Sequence, residues 1–194
     1  MDVVVLRAAD RVPAAWKNGG GVTREVASWP EEAGLDGFDW RISLAEVAAG
    51  GPFSVFPGVD RVITVVDGAG MELTVDGVRH PLPGLHHPFA FAGDAATGCR
   101  LLDGAITDFN VMTRRDRVRA EVSVVRGSRT LTAGPGRTAL LLVLDGRMRH
   151  EGTLLGRHDA VMTRGTGDAG ATSVVCEDGT GVAALVILDD ITGP

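Results

Sequence analysis

The sequence predicts an all-β protein made of two small barrel-like units in tandem. Three observations carry this: a period of two in hydropathy along nearly the whole chain, Gly-containing turn dipeptides between the apolar runs, and a pattern that occurs twice. Runs such as Val62-Ile63-Thr64-Val65-Val66, Met71-Glu72-Leu73-Thr74-Val75, Val122-Ser123-Val124-Val125 and Leu140-Leu141-Leu142-Val143-Leu144 are rich in the residues that fit a pleated surface. Asp67-Gly68, Asp76-Gly77, Asp145-Gly146 and Glu151-Gly152 punctuate them as hairpin turns, where glycine accepts positive φ. Short strands between such turns form sandwiches or barrels.

The repeat is explicit. Val65-Val66-Asp67-Gly68 with a later Gly93-Asp94 is echoed by Val143-Leu144-Asp145-Gly146 and Gly167-Asp168. In each copy a hairpin precedes a histidine-bearing loop and an apolar strand, His86-His87-Pro88-Phe89-Ala90-Phe91 and then Arg157-His158-Asp159-Ala160-Val161-Met162. The predicted division is residues 1–115 and 116–194, with Arg114 to Arg119 read as a solvated connector. The helical signal is weak. Ser43-Leu44-Ala45-Glu46 has capping-box spacing and predicts a short helical turn from Ser43 to Gly50-Gly51.

With 194 residues the chain has enough apolar sequence for a core without covalent staples, and Cys99 and Cys176 read as reduced thiols rather than a disulfide framework. Met1 to Arg7 is too short for a signal peptide and reads as a first strand, and no run approaches a membrane span, so the expected location is the cytoplasm. The net charge of −6 argues against nucleic-acid backbone binding, which draws on clustered Lys and Arg.

Four segments carry candidate chemistry. In Trp16-Lys17-Asn18-Gly19-Gly20-Gly21-Val22-Thr23-Arg24-Glu25, glycines permit close backbone approach, Lys17 supplies a charge and Asn18 an amide, and Thr23 and Glu25 share a strand face. The chain uses one Lys and two Asn, and Lys17 and Asn18 stand together here. The ending of a nucleotide-binding phosphate loop is missing. The alternative for this segment is a Gly-rich hairpin with Trp16 as a core plug.

In Phe38-Asp39-Trp40-Arg41-Ile42-Ser43, Arg41 and Ser43 share a face, and if that face lines a barrel interior the guanidinium is a ready fork for a carboxylate; the alternative is a surface strand whose Arg pairs with a neighbouring acid while Ser43 caps a turn. The aromatic and proline-rich loop Gly51-Pro52-Phe53-Ser54-Val55-Phe56-Pro57-Gly58-Val59-Asp60 leads into Arg61, with Asp60 as its expected orienting partner; the alternative is a purely structural loop. In Thr107-Asp108-Phe109-Asn110-Val111-Met112, alternation puts Asp108 and Asn110 on one face, Asp108 being the expected partner of an Arg or Lys. Histidine spacing does not favour a metal: His86 and His87 point to opposite faces of a strand, and His80, His150 and His158 are isolated.

Together these four ordered motifs resemble the HutD/Ves family, over roughly residues 5 to 115; the second half resembles it in layout alone. The resemblance implies a bicupin of the RmlC-like cupin superfamily without the usual metal ligands or any cofactor. It also implies an association in some bacteria with histidine-utilisation genes, or, for the Ves type, with stress and cold response. Members of the HutD type are expected to bind a small acidic metabolite of the formate, formylglutamate or urocanate class. Residue by residue, the match falls on Lys17, Asn18, Gly19, Gly20, Thr23, Glu25, Arg41, Ser43, Arg61, Asp108 and Asn110.

The leading expectation is a non-enzymatic binder of a small anionic metabolite, with no nucleic-acid or membrane partner. Lys17, Arg41 and Arg61 counter the charge, while Asn110 and Ser43 orient the ligand. The rival is a metal-independent barrel hydrolase or isomerase with Glu25 or Asp108 as base and Lys17 or Arg41 at an oxyanion. A third expectation is a homodimer joined through strand edges.

Overall fold

The computed structural model describes residues 1–17, 19–31, 33–165 and 167–191. Regular structure is almost entirely antiparallel β; helix among the described residues is limited to one turn at Ala8–Asp10 and one at Gly34–Gly37. Val12–Arg117 form one compact unit, and Met1–Arg11 with the chain from Val118 onward form another.

In the first unit a six-stranded sheet runs in the order Pro13–Ala15, Gly21–Trp29, Trp40–Val47, Ile106–Arg114, Val59–Asp67, Phe89–Ala92. A four-stranded sheet runs Gly51–Pro52, Thr97–Leu101, Gly70–Val75, Val78–Pro83. Ala45, Val47, Ile63, Val65, Phe91 and Ile106 of the larger sheet share a core with Met71 and Leu73 of the smaller, which closes the unit into a barrel by burying one apolar face of each sheet.

The second unit pairs a five-stranded sheet, Asp2–Leu6, Ala160–Arg164, Arg137–Asp145, Val182–Asp190, Val118–Arg126, with a four-stranded one, Arg129–Ala133, Gly170–Val175, Met148–His150, Thr153–Leu155. Its core is made by Leu131, Ala139, Leu141, Val143, Met148, Leu155, Val161, Val174 and Ala183.

The duplicated sequence pattern is a duplicated structure. Asp67 Oδ1 accepts from the Gly68 amide at 3.0 Å, and Asp145 Oδ1 from the Gly146 amide at 2.8 Å. Asp76-Gly77 and Glu151-Gly152 both have two consecutive positive φ values, the condition for a tight turn that follows strand twist. The His86 amide donates to the Val65 carbonyl at 2.8 Å, and the His158 amide to the Val143 carbonyl at 2.7 Å, with φ of 71° and 69° at the two histidines. Even the strand irregularity repeats: Thr107 and Asp108 oppose Asp67 and Val65, as Val182 and Ala183 oppose Asp145 and Val143.

Three expectations are corrected. The opening strand pairs with Ala160–Arg164, so residues 1–11 do not belong to the first unit, and the chain divides at Arg117 rather than after 115. Asp159 fastens that segment: its carboxylate accepts from Arg7 Nη1 at 2.8 Å, the Ala8 amide at 2.8 Å and the Gly156 amide at 3.1 Å. The predicted helical turn at Ser43 is instead part of the strand Trp40–Val47, paired on both sides; non-local ladders outweigh a local capping signal. The arginine cluster is a clamp rather than a solvated connector. Arg114 donates to the carbonyls of Asp36, Phe38 and Pro57, Arg115 to Asp60 and Asp94, and Arg117 to Asp39.

Candidate functional site

Directly opposed residues of antiparallel strands share a sheet face. Three rows therefore cross the inner face of the six-stranded sheet. One holds Thr23, Ala45, Asp108 and Val65; the next Glu25, Ser43, Asn110 and Ile63; the third Ser28, Arg41, Met112, Arg61 and Phe91. Ala45, Ile63, Val65 and Phe91 belong to the core cluster, which identifies this face as the interior one. Thr23, Glu25, Arg41, Ser43, Arg61, Asp108 and Asn110, drawn from four strands, are thus brought together.

The glycine segment is placed differently. Lys17 is exposed in the turn between Pro13–Ala15 and Gly21–Trp29, and Asn18 lies outside the described residues. Gly19 has φ of +71°, and its amide closes the turn onto the Trp16 carbonyl at 3.0 Å. The Gly20 carbonyl accepts from the Ala48 amide at 2.9 Å. At Gly21 a Cβ would stand 2.5 Å from the Glu46 carbonyl oxygen and 3.1 Å from the Trp16 ring. Trp16 Nε1 donates to Thr23 Oγ1 at 2.7 Å, so the glycines seat an indole and Thr23 fixes it.

Arg61 is the centre of the inner face. It is 7% exposed, and its guanidinium carbon stands 5.0, 5.1 and 5.8 Å from the ring centres of Phe53, Phe91 and Phe56. Aromatic faces attract the cation there, and no carboxylate ion-pairs with it among the described residues. Asp60, the expected partner, pairs with Arg115 instead, at 2.8 Å. Nε of Arg61 is buried without a hydrogen-bond partner among the described residues. Burial pulls the guanidinium down to about 10, against the attraction of Asp108 and with the repulsion of Arg41 adding to the fall. It remains charged at neutral pH.

Asp108 is 3% exposed, and its Oδ1 has no partner among the described residues. The expected ion pair with Arg or Lys is not made. Burial pushes this carboxyl up to about 7, with the charge of Arg61 opposing the rise. Asn110, also buried, has an unpartnered Oδ1 as well. Buried polar atoms are nearly always satisfied by protein, water or ligand, and three groups on this one interior face each have an atom without a partner among the described residues. Glu25 and Arg41 differ: Glu25 accepts from Arg41 Nε at 2.6 Å and from Ser28 Oγ at 2.7 Å, and the pair neutralises itself.

The second copy of the repeat supplies an internal comparison. At the register positions of Arg61, Asp108 and Asn110 it has Ala139, Ala183 and Leu185, all facing an apolar core. The same barrel is built there without these polar groups, so the fold does not require them.

The donor set does not fit the metal centre common in cupin barrels. The inner face presents guanidinium, amide and carboxyl groups, and among the described residues no three His, Cys, Asp or Glu side chains converge. His80 lies against Phe89 with ring centres 4.8 Å apart and the planes tilted by 42°.

Phe53 and Phe56, in the loop singled out by its aromatic residues, ring Arg61 together with Phe91; Phe91 and Gly93, whose Cβ would stand 2.8 Å from the Val59 carbonyl and 3.4 Å from Arg61 Cδ, were not among the candidates. The Phe89/Phe91 alternation was the available signal for one of them. Cys99 also faces this interior; burial, with Asp108 adding to it, raises its thiol to about 11. Both cysteines are free thiols, and no helix of the described residues is long and apolar enough to cross a membrane.

The HutD family model matches residues 8–183. Protein Ves of Cronobacter sakazakii is 44% identical over 142 residues, 72% of this chain and 75% of that protein. A 21.2 kDa protein of Pseudomonas putida, named for its place in the hutC 3′ region, is 46% identical over 129 residues, 66% of each chain. The structure of HutD from Pseudomonas fluorescens SBW25, described as a formate condition, superposes with a TM-score of 0.85 at 38% identity, covering 98% of this chain and all of that one. At 10% identity, the cupin 2 conserved barrel protein of Leptotrichia buccalis shares the fold, with a TM-score of 0.58.

Proposed function

The chain belongs to the HutD family, and on that premise we propose that it is a cytoplasmic, non-enzymatic bicupin that binds a small carboxylate metabolite inside the unit of residues 12–117. The observation that carries the reading is Arg61: a buried cation ringed by three phenylalanines, without an ion-pair partner among the described residues, at a position where the second copy has alanine. A carboxylate accepts a forked pair of hydrogen bonds from a guanidinium. In the low-dielectric interior such a pair is stronger than at the surface. Asn110 and Ser43 flank the acid group and orient it. Arg41 is held by Glu25 and shapes the field rather than contacting the ligand.

The class expected is formate, formylglutamate or urocanate, and the role regulatory, in histidine utilisation. The name of the Pseudomonas putida relative and the formate condition of the Pseudomonas fluorescens structure support that class. The test is calorimetric titration with formate, formylglutamate, urocanate, histidine and glutamate. Saturable heat from an acid, lost in Arg61→Ala, is expected; binding unchanged in that variant overturns the reading.

One observation favours an enzyme as the second reading: a buried carboxyl near 7 suits a general acid–base. That role falls to Asp108 rather than Glu25, whose oxygens are both occupied. It predicts turnover of an acid substrate that Asp108→Asn abolishes.

A further inference from the structure

We propose that the interior site takes up its anion together with one proton, which resides on Asp108 and makes that carboxyl a hydrogen-bond donor in the bound state. This rests on the carboxylate-binding reading and adds the charge state of the site, and with it narrows the ligand class to a monoanion, formate or urocanate rather than the doubly charged formylglutamate.

The geometry behind it is an inventory of charge on one sheet face, buried at Arg61, Asp108 and Asn110 and open to solvent at Glu25. Asp108 lies between Ala45 and Val65 of its neighbouring strands. On its own strand the nearest inner-face neighbours are Ile106 and Asn110; across Trp40–Val47, Gly21–Trp29 stands with Thr23 and Glu25. The smaller sheet contributes Met71, Leu73 and Cys99, whose thiol is neutral at physiological pH. The charged groups facing this interior are therefore Arg61, Arg41 and Glu25, besides Asp108 itself, and His80, opposite Leu73 and against the Phe89 ring, is the other titratable side chain facing it.

Arg41 and Glu25 cancel across 2.6 Å. What remains is the single positive charge of Arg61 and the carboxyl of Asp108, neither engaged by the other as an ion pair. An ionised Asp108 would leave the interior with no net charge to offer an anion, and would place a second carboxylate in the same apolar space. Two carboxylates sharing one buried site cannot both ionise cheaply. A protonated Asp108 removes that repulsion and turns its unpartnered oxygen edge toward the ligand as a donor. The carboxyl's position near 7 is consistent with this exchange occurring around neutrality. The site then compensates one negative charge, not two.

The experiment is formate titration of the full chain at about pH 6 and about pH 8, where formate stays ionised, for the native protein, Asp108→Asn and His80→Asn. The last is a control for the other titratable side chain facing this interior, which lies opposite Leu73. For the native protein and His80→Asn, the dissociation constant is expected to rise roughly tenfold across that interval, the factor set by a linked proton with a midpoint near 7. Asp108→Asn, always neutral, is expected to bind with the native low-pH affinity at both. Infrared difference spectra of the ligand-free native protein give an independent check, through a protonated-carboxyl band at about pH 6 that is missing in Asp108→Asn. Equal formate affinity at both pH values, or an ionised Asp108 at the lower one, overturns the proton link while leaving the carboxylate site standing. Absence of formate binding at either pH removes both.

Discussion

Arg61 and Ala139 hold the same place in the two copies of the repeat, each six residues before the Asp of an Asp-Gly turn and each opposite an apolar residue, Met112 or Ile187, of the neighbouring strand. The barrel accepts alanine at this place, so Arg61 is expected to be dispensable for folding. Arg61→Met fills the same volume without charge. It should unfold at an equal or higher temperature, stabilised by up to about 2 kcal/mol, as for buried charges replaced by apolar groups, while losing acid binding. Scanning calorimetry beside ligand titration separates the two effects; a large loss of stability would assign Arg61 a structural role.

Asp108 makes stability depend on pH in the sense opposite to most carboxylates. Its folded carboxyl lies near 7, above the ordinary 3.8 of the unfolded chain, so the folded state binds the extra proton. Stability from this group is therefore greatest below the unfolded value and declines as pH rises from about 4 to about 7. Asp108→Asn should flatten that decline and raise the melting temperature more at about pH 8 than at about pH 5. A melting curve series over pH is the check.

Much of this was readable from the residues, and the limits are physical. The Asp-Gly and histidine-loop repeat is local chemistry, and the hydrogen bonds His86 to Val65 and His158 to Val143 realise it twice. Alternation placed Asp108 with Asn110 and Arg41 with Ser43 because side-chain direction along a strand has a period of two. Which strands lie side by side is not local. The row Glu25, Ser43, Asn110, Ile63 needs three ladders to be known, and the burial of Arg61 among Phe53, Phe56 and Phe91 needs a loop, a strand and a sheet edge. For the same reason the opening strand reads as part of the first unit although its partner lies far along the chain, at Ala160–Arg164. Ser43 and Glu46 gave a helix-start signal that only the flanking strands overrule.

Asp159 ties the opening segment to its unit, and its loss should be felt there first. Burial alone would raise its carboxyl, yet the amides of Ala8 and Gly156 together with Arg7 hold it below the ordinary value. This contribution is present above the unfolded value and lost as pH falls through the folded one. Asp159→Ala should destabilise by about 1–3 kcal/mol and speed amide exchange in residues 2–8. Hydrogen-exchange mass spectrometry reads both location and magnitude.

Gly21 tests whether the glycine run serves packing. Gly21→Ala places a methyl group against the Glu46 carbonyl and the Trp16 ring, and should cost about 1–3 kcal/mol. The emission of Trp16 should shift as its indole is displaced. Denaturant unfolding with fluorescence shows whether Trp16 and the strand beneath it move together.

The central claim is that Arg61 is the anion-binding group, and the most direct measurement is the side-chain Nε–Hε resonance of Arg61 in nitrogen-15-labelled protein, assigned by its disappearance in Arg61→Met and followed through a formate titration. A saturable shift of that resonance, with the Arg115 and Arg117 signals unmoved, is the predicted result. An Arg61 signal that stays in place while formate binds elsewhere, or while no formate binds, contradicts the account.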